Sequence, residues 1–329
     1  MLTLLRLDLK NRITIALILV FCLCGSAQSQ SINIPPIDID LSLKQVSKHV
    51  YYAEGLAGIG TDNKGFVSNA SVIVTKKGII VFDALGSPSL AKKLKEAIQR
   101  VSTQPIKKIF ISHYHADHFY GLQGLVQTGT ETYAPAGAKR YLSRDGAEIR
   151  LNERRKSLKP WVNETTQLIP PQHYIDQDLK FSFGGLDIQV LHFGSAHSDG
   201  DIVMFIEQDK VLLTGDLIFT GRIPFIGGND LIGWQKRIDE LAKLPAQWII
   251  PGHGSAFKNF ELGSNLTKSY LNLVHSVMKA GVEDLMSFEE IYQATDWSAY
   301  EKLPAFNPGN RINAYRVFLN AEKEALDAE

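Results

Sequence analysis

Residues 113–118 read HYHADH, so three of the chain's nine histidines and an aspartate fall within six positions. Neutral imidazole is the commonest protein metal ligand, and crowded imidazoles that titrated freely would repel one another. Further candidate donors occur singly downstream. His197 lies in GSAHSDGD, Asp216 closes the apolar run VLLTGD, and His253 closes WIIPGH. Together with His113, His115, Asp117 and His118 they make seven candidate ligands. Seven exceed what one tetrahedral zinc takes and suit two ions. Two ions roughly 3.5–4 Å apart can share one hydroxide, whose pKa then falls far below that of bulk water. Such a nucleophile needs no catalytic serine or cysteine.

These residues need elements that bring them together. IKKIFISH, residues 106–113, is a short apolar strand ending at the histidine cluster. FVSNASVIVTKKGIIVFDAL predicts two strands joined at Lys76, Lys77 and Gly78. SPSLAKKLKEAIQRVS predicts a helix, with Ser87 as cap, Pro88 at its start and Leu90, Leu94 and Ile98 on one face. LKFSFGGLDIQVLHFG and DIVMFIEQDKVLLTGD predict hairpins turning at Gly184-Gly185 and Gln208-Asp209. Residues 134–165 read as charged helices, LIGWQKRIDELAKL as an amphipathic helix, and the chain after 262 as mostly helical. This alternation predicts a layered α/β fold, in which strand ends on one edge converge on a ligand site. Asp216 and His253 are expected at such strand ends. The glycine-rich stretch GLAGIGTDNKG, residues 55–65, leads into a strand rather than a helix, which excludes a phosphate loop and predicts a mobile hairpin tip.

The composition is that of a globular protein, with 44% hydrophobic and 21% charged residues in 329. The formal net charge is zero, and no basic tract points to nucleic acid. Residues 1–27 predict a secretory signal: Arg6, Lys10 and Arg12 precede an apolar run from Ile13 to Cys24, and Gly25-Ser26-Ala27 offers a processing site. The run is too short to span a bilayer comfortably, so no stable membrane span is expected after cleavage. Processing after Ala27 leaves 32 basic and 34 acidic residues, and it removes both cysteines, Cys22 and Cys24. The expected location is periplasmic or secreted. Residues 28–44, containing Pro35-Pro36, predict an extended leader.

The order HxHxDH, a later histidine, the aspartate of TGD and the histidine of PGHG resembles the metallo-β-lactamase superfamily. The resemblance covers roughly residues 45–260 and implies an αββα sandwich carrying a dinuclear site, here with a C-terminal helical extension over 261–329. It implies that His113, His115 and His197 bind one metal, that Asp117, His118 and His253 bind the second, and that Asp216 bridges them. Two Zn2+ ions per chain are expected, with iron and manganese left open. Asp83, closing IIVFDAL, matches a position whose carboxylate supports the metal loop. DGDIVMF, LIFTGRIPFIGG and NRINAYRVFLNAEKE are also similar to periplasmic metallohydrolases encoded with quinoprotein and sulfur-oxidation systems.

The ligand set narrows the reaction. One lactamase subclass carries cysteine where Asp216 stands, and another lacks the bridging aspartate. The seven together are similar to thioesterases, lactonases and RNA-processing nucleases of the fold. Neutral charge and the signal weigh against a nuclease. The expected enzyme is an exported metal-dependent hydrolase of a small-molecule substrate, acting on an activated acyl bond, a thioester or an ester or lactone. Asp117 and Asp216 are its candidate catalytic carboxylates. The alternatives are a β-lactam hydrolase, an iron-dependent persulfide oxygenase and a non-catalytic metal-binding module. Arg222, just beyond Asp216, is either an anion contact or a solvated loop residue. His192, His49, His173 and His275 read as packed or solvated, and the sequons at Asn69, Asn163 and Asn265 carry no meaning in a bacterial chain.

Overall fold

The computed structural model describes residues 32–228 and 230–327. The expected signal, with Cys22, Cys24 and the processing point at Ala27, lies outside the described residues.

Two sheets form, each hydrogen-bonded in chain order. The first contains β1 (Lys44–Gln45), β2 (Val50–Ala53), β3 (Ala70–Thr75), β4 (Gly78–Phe82), β5 (Ile106–Phe110), β6 (Glu131–Pro135) and β7 (His173–Ile175). It is antiparallel as far as β4 and parallel beyond. The second contains β8 (Leu179–Phe183), β9 (Leu186–Gly194), β10 (Asp201–Ile206), β11 (Val211–Phe219) and β12 (Trp248–His253), with only the β11–β12 pair parallel. Helices α1 (Pro88–Val101), α2 (Ala116–Phe119), α3 (Leu122–Leu125), α4 (Gly137–Leu142) and α5 (Asp145–Ser157) precede the second sheet. Helix α6 (Leu231–Leu241) joins β11 to β12, and α7 (Phe260–Glu283), α8 (Phe288–Ala294) and α9 (Phe306–Asp327) follow.

Side-chain alternation sorts the apolar residues into three cores. Ile73, Ile80 and Phe110 of the first sheet meet Val190, Met204 and Leu213 of the second. The first sheet turns Val72, Ile79 and Val81 outward onto Leu90, Leu94 and Ile98 of α1. The second turns Val203, Phe205 and Leu212 onto Trp234 of α6, Tyr270 of α7 and Phe318 of α9. The result is the four-layer αββα sandwich with added C-terminal helices. Every residue of β4 and β11 is buried, as expected of strands covered on both faces. Helix α1 starts where the sequence placed it: the Ser87 side chain accepts from the Leu90 amide at 3.2 Å, and Pro88 needs no hydrogen-bond partner there. Within the expected leader, residues 32–43 form neither helix nor strand and pack against the fold. Ile37 and Leu41 are buried in the first core, and Ser89 Oγ donates to the Pro35 carbonyl at 2.8 Å.

One expectation is corrected. Asp216 does not end its strand, because β11 runs on to Phe219. The ladder to β12 breaks around Gly215, whose φ of +52° belongs to the left-handed region. This bulge turns Asp216 toward the site without stopping the strand. Residues 55–65 form turns between β2 and β3. Among the described residues no helix is long and apolar enough to cross a membrane.

Candidate metal centre

All seven sequence-predicted residues meet at one edge of the two sheets. They come from the β5–α2 loop, α2, the β9–β10 loop, the β11 bulge and the end of β12. Two groups have donor atoms within 4.8 Å of one another and could each hold a metal ion: His113, His115, His197 and Asp216, and Asp117, His118 and His253. In the first group His115 Nδ1 lies 2.9 Å from both His113 Nε2 and His197 Nε2. Asp216 faces both groups. Its Oδ2 is 3.4 Å from His197 Nε2 and 3.3 Å from His253 Nε2, and its Oδ1 is 3.1 Å from His118 Nε2. Gly252 makes this approach possible, since a Cβ there would sit 2.0 Å from Asp216 Oδ1.

Neighbouring groups fix which ring nitrogens are bare. His253 Nδ1 lies 2.7 Å from the Val67 carbonyl, which can only accept, so Nδ1 carries the hydrogen and Nε2 is the free donor atom. His118 Nδ1 donates to Asp83 Oδ2 at 2.8 Å, which likewise bares Nε2. Ser112 Oγ donates to Asp83 Oδ2 at 2.8 Å and therefore accepts from His113 Nδ1 at 2.9 Å, baring His113 Nε2. His118 Nε2 and Asp216 Oδ1 are buried without any hydrogen-bond partner. Buried lone pairs pointed at one another are costly without a cation between them, so the residues present fit metal ions. Asp83 holds a backbone φ of +69°, an unfavourable conformation secured by its bonds from Ser112 N, Ser112 Oγ and His118 Nδ1. It supports the loop as its position in the sequence implied.

The two groups differ electrostatically. Burial, reinforced by the His118 charge, holds His113 well below the ordinary histidine range. Burial and His197 do the same to His115, and burial brings His197 down to about 4. These rings are neutral at pH 7, as ligands must be. Burial also disfavours charge on His118, but Asp216, Asp83 and Asp117 outweigh it and raise its pKa well above the ordinary value. His253 is raised by Asp216 and Asp117 against the same burial. Burial would raise Asp216 and Asp117, yet His253 and His118 hold both well below the usual carboxylate range. Without metal, protons on His118 and His253 take the place of a cation.

A cavity of about 370 Å³ opens over His115, Asp117, Asp216 and His253. Ile59, Leu158, Ile223 and Ile312 supply apolar wall, and Arg150, Arg154 and Arg222 supply positive charge. Arg222 is thus a lining residue of the site rather than a solvated one. Asp117 and Asp216 act on its charge, while burial lowers its pKa. His192, His49, His173 and His275 belong to neither metal group.

Residues 63–253 match the family described as the metallo-beta-lactamase superfamily, which is more than half of the chain. The chain belongs to that superfamily. It is 27% identical over 210 residues to metallo-beta-lactamase IND-1 of Chryseobacterium indologenes, covering 62% of this chain and 77% of that protein. A metallo-beta-lactamase from Pontibacter korlensis superposes with a TM-score of 0.54 at 21% identity, covering 71% of this chain and 99% of that one. A stereoselective inverting sec-alkylsulfatase from Pseudomonas sp. superposes with a TM-score of 0.61 at 16% identity, covering 87% of this chain and 50% of that one. With its His/Asp metal-binding cluster, this member of the superfamily is a metal-dependent hydrolase.

Several residues that shape the site escaped the sequence reading. Asn69, noted only as a sequon, is buried and donates from Nδ2 to the Pro251 and Gly254 carbonyls, both at 2.8 Å, clamping the His253 turn. Asp201 accepts from Ser198 N at 2.8 Å and Ser198 Oγ at 2.9 Å, holding the His197 loop, and burial pushes its pKa up to about 7. Trp234 packs edge-on against His197 at 5.1 Å. Arg150 and Arg154 stand one helical turn apart on α5, an i,i+4 spacing that was legible as one face.

Proposed function

We propose that the seven residues hold two zinc ions and that the enzyme hydrolyses an activated acyl bond, a thioester or an ester or lactone. His113, His115 and His197 would hold one ion, Asp117, His118 and His253 the other, with Asp216 shared. The observation that carries this reading is Asp216, a single buried carboxylate with imidazole nitrogens of both groups at 3.1–3.4 Å. When bound, such a pair supplies Lewis acidity toward a carbonyl oxygen and makes water nucleophilic at neutral pH.

The chain's own residues do the rest. Asp117 keeps 29% of its side chain exposed toward the cavity, so its carboxylate can orient the attacking water. Asp216, only 4% exposed at the floor of the cavity, sets the charge between the two groups. Arg222 lines the same cavity, within electrostatic reach of Asp117 and Asp216. The apolar wall excludes water from the acyl group. The negative charge of Asp216 lowers the electrophilicity of the pair and favours thiolate and alkoxide leaving groups over the amine of a lactam. Export completes the reading. A chain processed after Ala27 carries no cysteine and has nothing to lose in an oxidising compartment.

Elemental analysis of loaded protein is expected to give two zinc ions per chain, with kcat/KM higher for a thioester than for a cephalosporin. A single iron would replace the zinc reading with redox chemistry, and a clear preference for the cephalosporin would replace the acyl-ester reading with a lactamase.

A further inference from the structure

The cavity over the metal groups has a neighbour. A second groove, of about 390 Å³, shares His115, Arg150 and Phe225 with it. Its far wall is α9, where Arg316 and Lys323, seven residues apart, share a face with Leu319. Among the described residues no acidic one lines this groove. Among the described residues Arg150, Arg316 and Lys323 make no ion pair. Arg316 is held in place instead: its guanidinium lies 4.7 Å over the Phe225 ring, and Nη1 donates to the Ile226 carbonyl at 2.8 Å. Burial lowers its pKa, and the Arg150 charge adds to the effect, which places the two guanidiniums within electrostatic reach.

Three cations around one groove, with no counter-charge among the described residues, repel one another and lose hydration. Both costs are relieved when an anion enters, and guanidiniums grip carboxylate, sulfonate and phosphate oxygens in particular. The adjoining cavity is different. Its wall carries Ile59, Leu158, Ile223 and Ile312, which suit hydrocarbon, and Asp117 and Asp216 act on the charge of its Arg222.

We infer that the substrate is a two-part molecule, with an apolar acyl group in the cavity and an anionic leaving group seated on Arg150, Arg316 and Lys323, joined by the scissile bond beside His115. The assignment rests on the acyl-hydrolase reading and names its substrate class. Water adds its oxygen to the acyl carbon. The C–S or C–O bond breaks with its electron pair on the departing sulfur or oxygen, which takes up the remaining proton. Release of the product thiol or alcohol then means dissociation of an anion from a basic groove, and should quicken with salt.

The test has two arms. In the first, naphthalene-2-sulfonate is titrated into metal-free protein by calorimetry. Saturable, salt-sensitive binding is expected, weakened about ten-fold by Arg316→Met and by Lys323→Ser, as loss of a charge-assisted contact dictates. Lys323 is exposed, so its variant reports on the groove even if Arg316→Met fails to fold. In the second arm, zinc-loaded enzyme is given an octanoyl thioester of 3-mercaptopropionate and its neutral methyl-ester counterpart. The anionic substrate should have the lower KM, and each variant should raise that KM by a larger factor than it raises the neutral one. Equal KM values, or binding indifferent to both variants, overturn the assignment. If neither thioester is hydrolysed while sulfonate binding still responds to the variants, the acyl-hydrolase reading falls and the groove stands as an anion site.

Discussion

Asp216 faces both histidine groups and has no hydrogen-bond partner at Oδ1, so its charge is committed to whatever lies between them. Replacing Asp216 by Asn keeps the shape and removes the charge. We expect loss of metal from the Asp117, His118 and His253 group and a fall in rate of at least about 10²-fold, the upper range of what losing a ligand's supporting contact costs. Elemental analysis and kcat on one preparation check this, and normal metal content with normal rate would refute it. At this scale the sequence was most legible. Donor chemistry is written in residue type, and HYHADH, TGD and PGHG carry their own spacing. Asn69 was illegible for the opposite reason. Its role depends on carbonyls more than 180 positions away, which only the folded chain brings within 2.8 Å.

Strands β11 and β12 deliver Asp216 and His253 side by side, and what fixes their relative height is the clamp from the start of β3. Asn69 N donates to the Gly252 carbonyl at 2.8 Å, its Nδ2 bonds Pro251 and Gly254, and its Oδ1 receives the Gly55 amide at 2.9 Å. Asn69→Ala strands one buried amide and leaves two carbonyls without that partner. We expect a destabilisation on the order of 3 kcal/mol in denaturant melts, together with weaker zinc binding at the His253 group. A loss below about 1 kcal/mol with unchanged zinc affinity would show that the turn holds itself. The elements themselves were legible where capping or turn chemistry is local, as at Ser87-Pro88 and Gly184-Gly185. The Asp216 bulge was not, because an apolar run buried on both faces reads the same whether the ladder is continuous or broken.

Across the whole molecule, the metal-binding residues form a titrating unit whose charge depends on folding. In metal-free protein, His118 and His253 hold protons more tightly folded than unfolded. Their contribution to stability is therefore complete below the unfolded value of about 6.5 and is lost as pH rises through their raised values. The Tm of the metal-free enzyme should fall as pH rises above about 6.5, and zinc should abolish that fall by replacing the protons. Scanning calorimetry from neutral to alkaline pH decides it, and a metal-free Tm that climbs across this range contradicts the charge assignment. The layered architecture was legible from the alternation of strand and helix signals, but the role of the last helix was not. Asn313 of α9 accepts from the Ile226 amide at 3.0 Å and donates to the Pro224 carbonyl at 2.8 Å, so α9 holds the loop that walls the cavity. The residues that could bind metal all fall between 113 and 253, whereas one wall, contributed by residues between Ala305 and Lys323, lies wholly beyond that span. Whatever selectivity that wall confers is thus inherited on a stretch of its own. A lineage, or an engineer grafting a foreign final helix, can exchange one clientele for another while the machinery that cuts the bond is passed on untouched.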